Sequence, residues 1–199
     1  MMKKFTFILT AVFALAVAAN AQGIAVGEKI ENFSLPDTSG VAKTFNEMKG
    51  KNGAVIMFVS SQCPVVKAYN ERMNEIAADY AAKGIAFIGI NANATEMDAK
   101  TGLPADWVGK HIAETYKFNV LMDKGNVFAD KLGATKTPEA YFVGADGTLL
   151  YHGAIDNDQK ALNITQPYLR TAFDEVLAGK PVAKKSANAF GCTIKRAGQ

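Results

Sequence analysis

Cysteine is almost missing from this 199-residue chain, which holds only Cys63 and Cys192. The chain has no CxxC and no CxxCH, which excludes the usual local dithiol motif and c-type haem attachment. Histidine is equally scarce. His111 and His152 stand far apart, and neither shares a ligand spacing with a cysteine or carboxylate, so no metal site is expected. Arginine occurs only as Arg72, Arg170 and Arg196. No internal repeat is present, and no low-complexity linker precedes the closing segment after Pro181.

The one long apolar run is at the start. Lys3 and Lys4 precede Phe5 to Ala18, and Ala19-Asn20-Ala21 fits a small-residue cleavage site, so residues 1–21 read as a cleaved secretory signal. The run is short for a membrane span and lacks a stop-transfer flank. No cysteine follows the cleavage site to carry a bacterial lipid anchor. The expected location is secreted or periplasmic, with no membrane contact once the signal is removed.

Cleavage also removes two of the lysines behind the formal charge of +3. The remaining near-neutral chain offers no electrostatic case for nucleic acid or an anionic membrane. Lys184, Lys185, Lys195 and Arg196 read as a solvated end. The expected organisation is one domain over residues 22–180, followed by a tail, 181–199, that carries the second cysteine. Outside the cytoplasm thiols tend to be oxidised, so an even cysteine count raises the question of a pairing.

Along the chain, Phe33 and Leu35 alternate in an extended arm that ends in turn residues at Pro36-Asp37 and Ser39-Gly40. Ala54 to Val59 is a continuous apolar run of strand length, as a strand buried on both faces requires. Pro64 suits the first turn of a helix, and Val66, Tyr69, Met73, Ile76, Ala77 and Tyr80 then recur at helical spacing. Ile85 to Ile90 is a second buried strand, and a polar segment leads from it to a helix from about Pro104 to Tyr116. Phe118 to Met122 reads as a third strand, and Val127 to Leu132 as a short helix stopped by Gly133. Ala140–Val143 and Thr148–Tyr151 flank Ala145-Asp146-Gly147, a hairpin signature. A helix from about Gln166 to Leu177 closes the domain.

Strands alternating with helices predict right-handed crossovers and a mixed, mainly parallel sheet with a late antiparallel hairpin. Helices cover both faces, giving a three-layer α/β/α sandwich. In such sheets the reactive crevice lies beyond the carboxyl ends of the strands. Cys63 sits there, at a strand-to-helix turn where the helix's free N–H groups and positive end favour a thiolate, so a lowered pKa is expected. The hydroxyl of Ser60, three residues earlier, is placed to bond the sulfur. The remaining polar residues read blandly: Glu71 and Glu75 as a solvated helix face, Trp107 and His111 as packing, His152 as an edge residue, and Asp156 and Asp158 as loop-shaping, with Asp156 also able to line the crevice.

The stretches FSLPDTSG, SSQCP with the strand before it, TKTPEAYFVGADG and LLYHGAID together resemble the redoxin (AhpC/TSA-type) branch of the thioredoxin superfamily. That branch includes the peroxiredoxins and exported thiol-disulfide oxidoreductases, and the likeness runs from about Ile24 to Ala178. CPVVKAY and the closing GCTIKR are similar to a peroxiredoxin-like subgroup. The resemblance implies a thioredoxin-like sandwich with an N-terminal extension and no cofactor. Cys63 would be the nucleophile toward a peroxide or disulfide substrate, Ser60 the hydroxyl on its thiolate, and Thr137 and Pro138 the cis-proline wall.

Cys192 would then resolve a sulfenic acid or mixed disulfide, and an unidentified thiol reductant would recycle the pair. A permanent staple and two unpaired thiols are the other outcomes open to Cys192, and an oligomer is compatible with all three. One departure bears on activity. Peroxidases of this kind carry an arginine where this chain has Thr137-Pro138. Arg72 lies about 13 Å further along the Cys63 helix, and Lys136 lacks the planar fork. Thiol-disulfide exchange without peroxidase activity is therefore the alternative, and a non-catalytic interaction module the third reading.

Overall fold

The computed structural model describes residues 23–97, 106–196 and 198. The expected signal segment and the expected helix start at Pro104 lie outside the described residues. No helix among the described residues is long and apolar enough to cross a membrane.

The architecture rests on β3 (Ala54–Val59), whose six residues are all buried. Successive side chains of a strand point to opposite faces. Val55, Met57 and Val59 accordingly enter one core cluster, and Ala54, Ile56 and Phe58 enter another. Only a strand covered by helices on both sides needs such a run.

Around β3 the main sheet is completed by β4 (Ala86–Asn91), β5 (Asn119–Met122), β7 (Glu139–Val143), β8 (Leu149–Gly153) and the short β9 (Ser186–Ala187), in the order β5-β4-β3-β7-β8-β9. The β3–β4, β4–β5 and β8–β9 pairings are parallel, while β3–β7 and β7–β8 are antiparallel. The hairpin at Asp146-Gly147 falls where the sequence places it. Gly147 has φ 90°, and the Asp146 carboxylate accepts from the N–H and the hydroxyl of Thr148.

On the first face lie α2 (Pro64–Ala81), α3 (Trp107–Thr115) and α5 (Tyr168–Leu177). On the second lie α1 (Phe45–Met48) and α4 (Val127–Leu132), together with Ile30 of the N-terminal extension. That extension forms its own hairpin from β1 (Ser34–Pro36) and β2 (Ala42–Thr44). The fold is the thioredoxin-like sandwich that the motifs imply.

The segment after Pro181 departs from a solvated end. Val182 is buried, β9 adds to the sheet edge, and β10 (Cys192–Thr193) pairs antiparallel with β6 (Lys136–Thr137). Phe190 and Cys192 pack on the first core cluster, whereas Ile194, only 2% exposed, belongs to the second. The chain thus wraps the end of the sheet from one face to the other. Arg196 fastens it there through Asp130 (3.0 Å) and the Ala134 carbonyl (2.6 Å).

Candidate active site

Cys63 is the N-cap residue of α2, in extended conformation, with Pro64 as the first helical residue. The proline's missing N–H costs nothing in a turn whose N–H groups have no intrahelical partner. Cys63 is 3% exposed and forms a disulfide with Cys192, with Cα atoms 6.0 Å apart across a sequence separation of 129. The two cysteines that the sequence leaves far apart therefore meet.

They meet against one wall. The peptide bond between Thr137 and Pro138 is cis, and the Cys63 sulfur lies 3.4 Å from the Thr137 carbonyl oxygen. Cys192 is the strand partner of Thr137, and Thr193 that of Lys136. The tail thus lies along the edge that leads into the cis-proline. Gly191 makes this approach feasible, since a Cβ there would stand 2.1 Å from the Thr137 oxygen. Glu139 holds β6 from beneath: one carboxylate oxygen accepts from the N–H groups of Thr135 and Lys136, both at 2.8 Å, and the other meets His152 at 2.7 Å. His152 is thus engaged with Glu139, and it is not an edge residue, since it pairs with Tyr141 of β7 on one side and Ser186 of β9 on the other.

Ser60 requires a correction. Its hydroxyl donates to the carboxylate of Glu96 and not to the Cys63 sulfur. A carboxylate is a stronger acceptor than a cysteine sulfur, and the parallel pairing of Val59 with Asn91 brings the loop after β4 beside the Ser60 turn. Glu96, 6% exposed, also accepts from the N–H groups of Ser61 (2.9 Å) and Gln62 (3.3 Å) and from the Asn91 side chain (2.7 Å). It is a buried brace for the whole turn ahead of the cysteine.

The sequence reading passed over Glu96 as part of a polar segment. The available signal was its place at the carboxyl end of the strand next to β3, where crevice residues collect. Nearby, Tyr116 is buried; desolvation first, and the Glu96 charge second, push its phenol above the usual range. Replacing Glu96 by alanine strands several buried donors, with an expected loss of about 2–3 kcal/mol. Glu96→Gln recovers only part of this, because an amide nitrogen cannot accept. Urea unfolding of both variants checks the order wild type, glutamine, alanine; equal midpoints would mean the turn holds without the brace.

All three arginines are engaged away from the disulfide. Arg72 bonds Asp156 (2.6 Å) and the carbonyl oxygens of Asp158 (2.9 Å) and Gln159 (3.4 Å). Arg170 pairs with Asp79, and Arg196 with Asp130. Asp156 is buried in its ion pair with Arg72 and also accepts from the Tyr69 hydroxyl at 2.9 Å. Lys136 extends to the Thr193 hydroxyl, on the tail strand. Trp107 and His111 stack at 5.0 Å, as packing predicts. No cluster of metal-ligating side chains occurs among the described residues.

A thioredoxin-like sandwich whose helix-capping cysteine is bonded to a second cysteine, beside a cis-proline, defines a protein of the thioredoxin superfamily. Within it, the chain belongs to the AhpC/TSA family, whose pattern matches residues 26–152. It is 30% identical to the solved structure of a hypothetical protein, SMc02350, from Sinorhizobium meliloti, with a TM-score of 0.78 and coverage of 89% of this chain and 98% of that one. An uncharacterized conserved protein from Geobacillus kaustophilus matches at 28% identity and a TM-score of 0.80, covering 89% and 95%. Among characterised relatives, the thiol-disulfide oxidoreductase ResA of Bacillus anthracis is 25% identical over 66% of this chain and 71% of its own length.

Proposed function

We propose that this protein is an exported thiol-disulfide oxidoreductase whose redox couple is Cys63–Cys192, and that it exchanges electrons with thiols and disulfides rather than with peroxide. The observation that carries the reading is the placement of that disulfide. It joins the N-terminus of α2 to a strand laid along the cis-proline edge, so a two-electron reduction opens a bond at the crevice. The balance is simple: two external thiols become one disulfide, and Cys63 and Cys192 become thiols. The name of the ResA relative supports this activity, and the lysine-led apolar start of the chain supports export.

The arrangement gives less support to a peroxidase. A peroxide-reducing thiolate is served by a guanidinium and a hydroxyl, and here the three guanidiniums and the Ser60 hydroxyl have other partners. The partners proposed are therefore a disulfide-bearing substrate and a thiol reductant.

The test is to equilibrate the protein in glutathione redox buffers, then to assay insulin reduction and hydrogen peroxide consumption. Reversible titration of Cys63–Cys192, dithiol-driven insulin reduction and no peroxide turnover above background are expected. Replacing both cysteines, Cys63→Ser with Cys192→Ser, should abolish the insulin reaction. A bond that stays closed in the folded protein at all buffer ratios would make Cys192 a staple, and rapid peroxide turnover would restore the peroxidase reading.

A further inference from the structure

We infer that an external thiol enters this redox couple at Cys192, and that Cys63 is the sulfur that leaves. This rests on the exchange activity proposed above and reverses the roles that the family resemblance implies. Attack on a disulfide sulfur proceeds in line, with the incoming thiolate opposite the sulfur that departs. Access and the leaving thiol's acidity therefore decide which sulfur is hit.

For Cys63 access is poor. The residue is 3% exposed and belongs to the core cluster with Val59, Val66 and Tyr69, and the Thr137 carbonyl oxygen lies 3.4 Å from its sulfur. Cys192 is only partly buried, on a two-residue strand whose next residue, Thr193, is exposed. The leaving side agrees. A departing Cys63 thiolate remains at the N-terminus of an 18-residue helix, whose positive end stabilises it.

The tail keeps this geometry when the bond opens, because its anchors do not depend on the disulfide. Ile194 donates its N–H to Thr135 (3.0 Å) and is buried, Ala94 donates to the Lys195 carbonyl (2.8 Å), Lys195 donates to Asn93 (3.1 Å), and Arg196 holds Asp130 and Ala134. Cys63 stays covered and Cys192 stays in front of it.

The steps then follow. An external thiolate attacks the Cys192 sulfur, the Cys63–Cys192 bond breaks, and the electron pair leaves on Cys63. A second external thiolate attacks the external sulfur of the mixed disulfide, releasing an external disulfide and the Cys192 thiolate. In reverse, Cys192 attacks a disulfide substrate, and Cys63 resolves the mixed disulfide. The substrate is bonded at Cys192, the less buried of the two residues, throughout, and Cys63 never carries it.

The deciding experiment uses the oxidised wild-type chain and reduced glutathione. Samples are quenched with acid at short times, free thiols are alkylated, and peptides are mapped without reduction. Extrapolated to zero time, glutathione is expected on Cys192 in at least tenfold excess over Cys63, with Cys63 alkylated. A double variant, Ile194→Ala with Arg196→Ala, loosens the tail without touching either sulfur and should shift part of the label to Cys63. Glutathione found first on Cys63 in the wild type overturns the assignment and leaves the exchange activity standing. No mixed disulfide on either sulfur, under conditions that cleave an exposed control disulfide, overturns both.

Discussion

Replacing Arg72 by alanine is expected to lower the unfolding free energy by about 3–5 kcal/mol, a large share of the stability of a domain this size. The reason lies in what remains. Asp156 is a carboxylate with a side chain 3% exposed, and the Arg72 side chain beside it is 11% exposed. Without the guanidinium, Asp156 keeps the Tyr69 hydroxyl and the Asp158 N–H but loses its counter-charge, and a buried unpaired charge is strongly unfavourable. Tyr69 supplies no counter-charge: burial, and then the Asp156 charge, push its phenol well above the usual range, so it stays a neutral hydrogen-bond donor.

The loss spreads along the loop, since Arg72 also holds the carbonyl oxygens of Asp158 and Gln159. It reaches toward the tail by packing as well: the guanidinium lies 4.2 Å from the Tyr69 ring centroid, and the Phe190 ring lies 6.2 Å from that ring between centroids. Arg72→Lys should recover part of the charge term but not the forked bonding. Urea unfolding of Arg72→Ala, Asp156→Ala and the double variant checks the account. The double variant should be less destabilised than the sum of the singles, and strict additivity would show that the pair is not coupled.

The elements of the domain were legible because each has a local signature. Six apolar residues before a turn define β3, Pro64 marks the first turn of α2, and Asp146-Gly147 marks the hairpin. The cysteine's place at the crevice follows from those neighbours. What was not legible is polar pairing between distant segments. Arg72 and Asp156 are 84 residues apart, and Ser60 and Glu96 are 36 apart. Such pairs are set by register and crossover, and neither member differs locally from a solvated residue.

The Ser60 expectation failed for this reason. Sequence proximity favoured the sulfur three residues on, and the neighbouring parallel strand supplied a stronger acceptor. Arg196 failed in the same way, since only the docked tail reveals Asp130 as its partner. The meeting of the two cysteines lay between these extremes. Their count and the closing GCTIKR motif raised it, and only the fold places Cys192 opposite Thr137.

Opening the disulfide is expected to lower stability by about 5 kcal/mol while leaving the native fold in place. The figure comes from the separation of 129 residues, because reduction frees a loop of that length in the unfolded chain. The native side should change little, since β10, Ile194 and Arg196 hold the tail without the bond. Urea unfolding of the oxidised and reduced protein should therefore give well-separated midpoints, with native circular dichroism in both before the transition. The slope should also rise on reduction, because the reduced unfolded chain exposes more surface.

The same free energy must appear in the redox equilibrium. A bond that stabilises the fold by about 5 kcal/mol is itself favoured by the fold by between three and four orders of magnitude over the same pair in the unfolded chain. This corresponds to a potential about 110 mV more negative. Glutathione equilibria measured in buffer and in denaturant test that equality directly. A stability loss near zero, with a potential unchanged by unfolding, would mean that the reduced tail leaves the β6 edge and that its gain in freedom offsets the loop entropy. A stability loss of about 5 kcal/mol, with a potential about 110 mV more negative in the fold, would identify the docked tail as the element that makes this couple reducing.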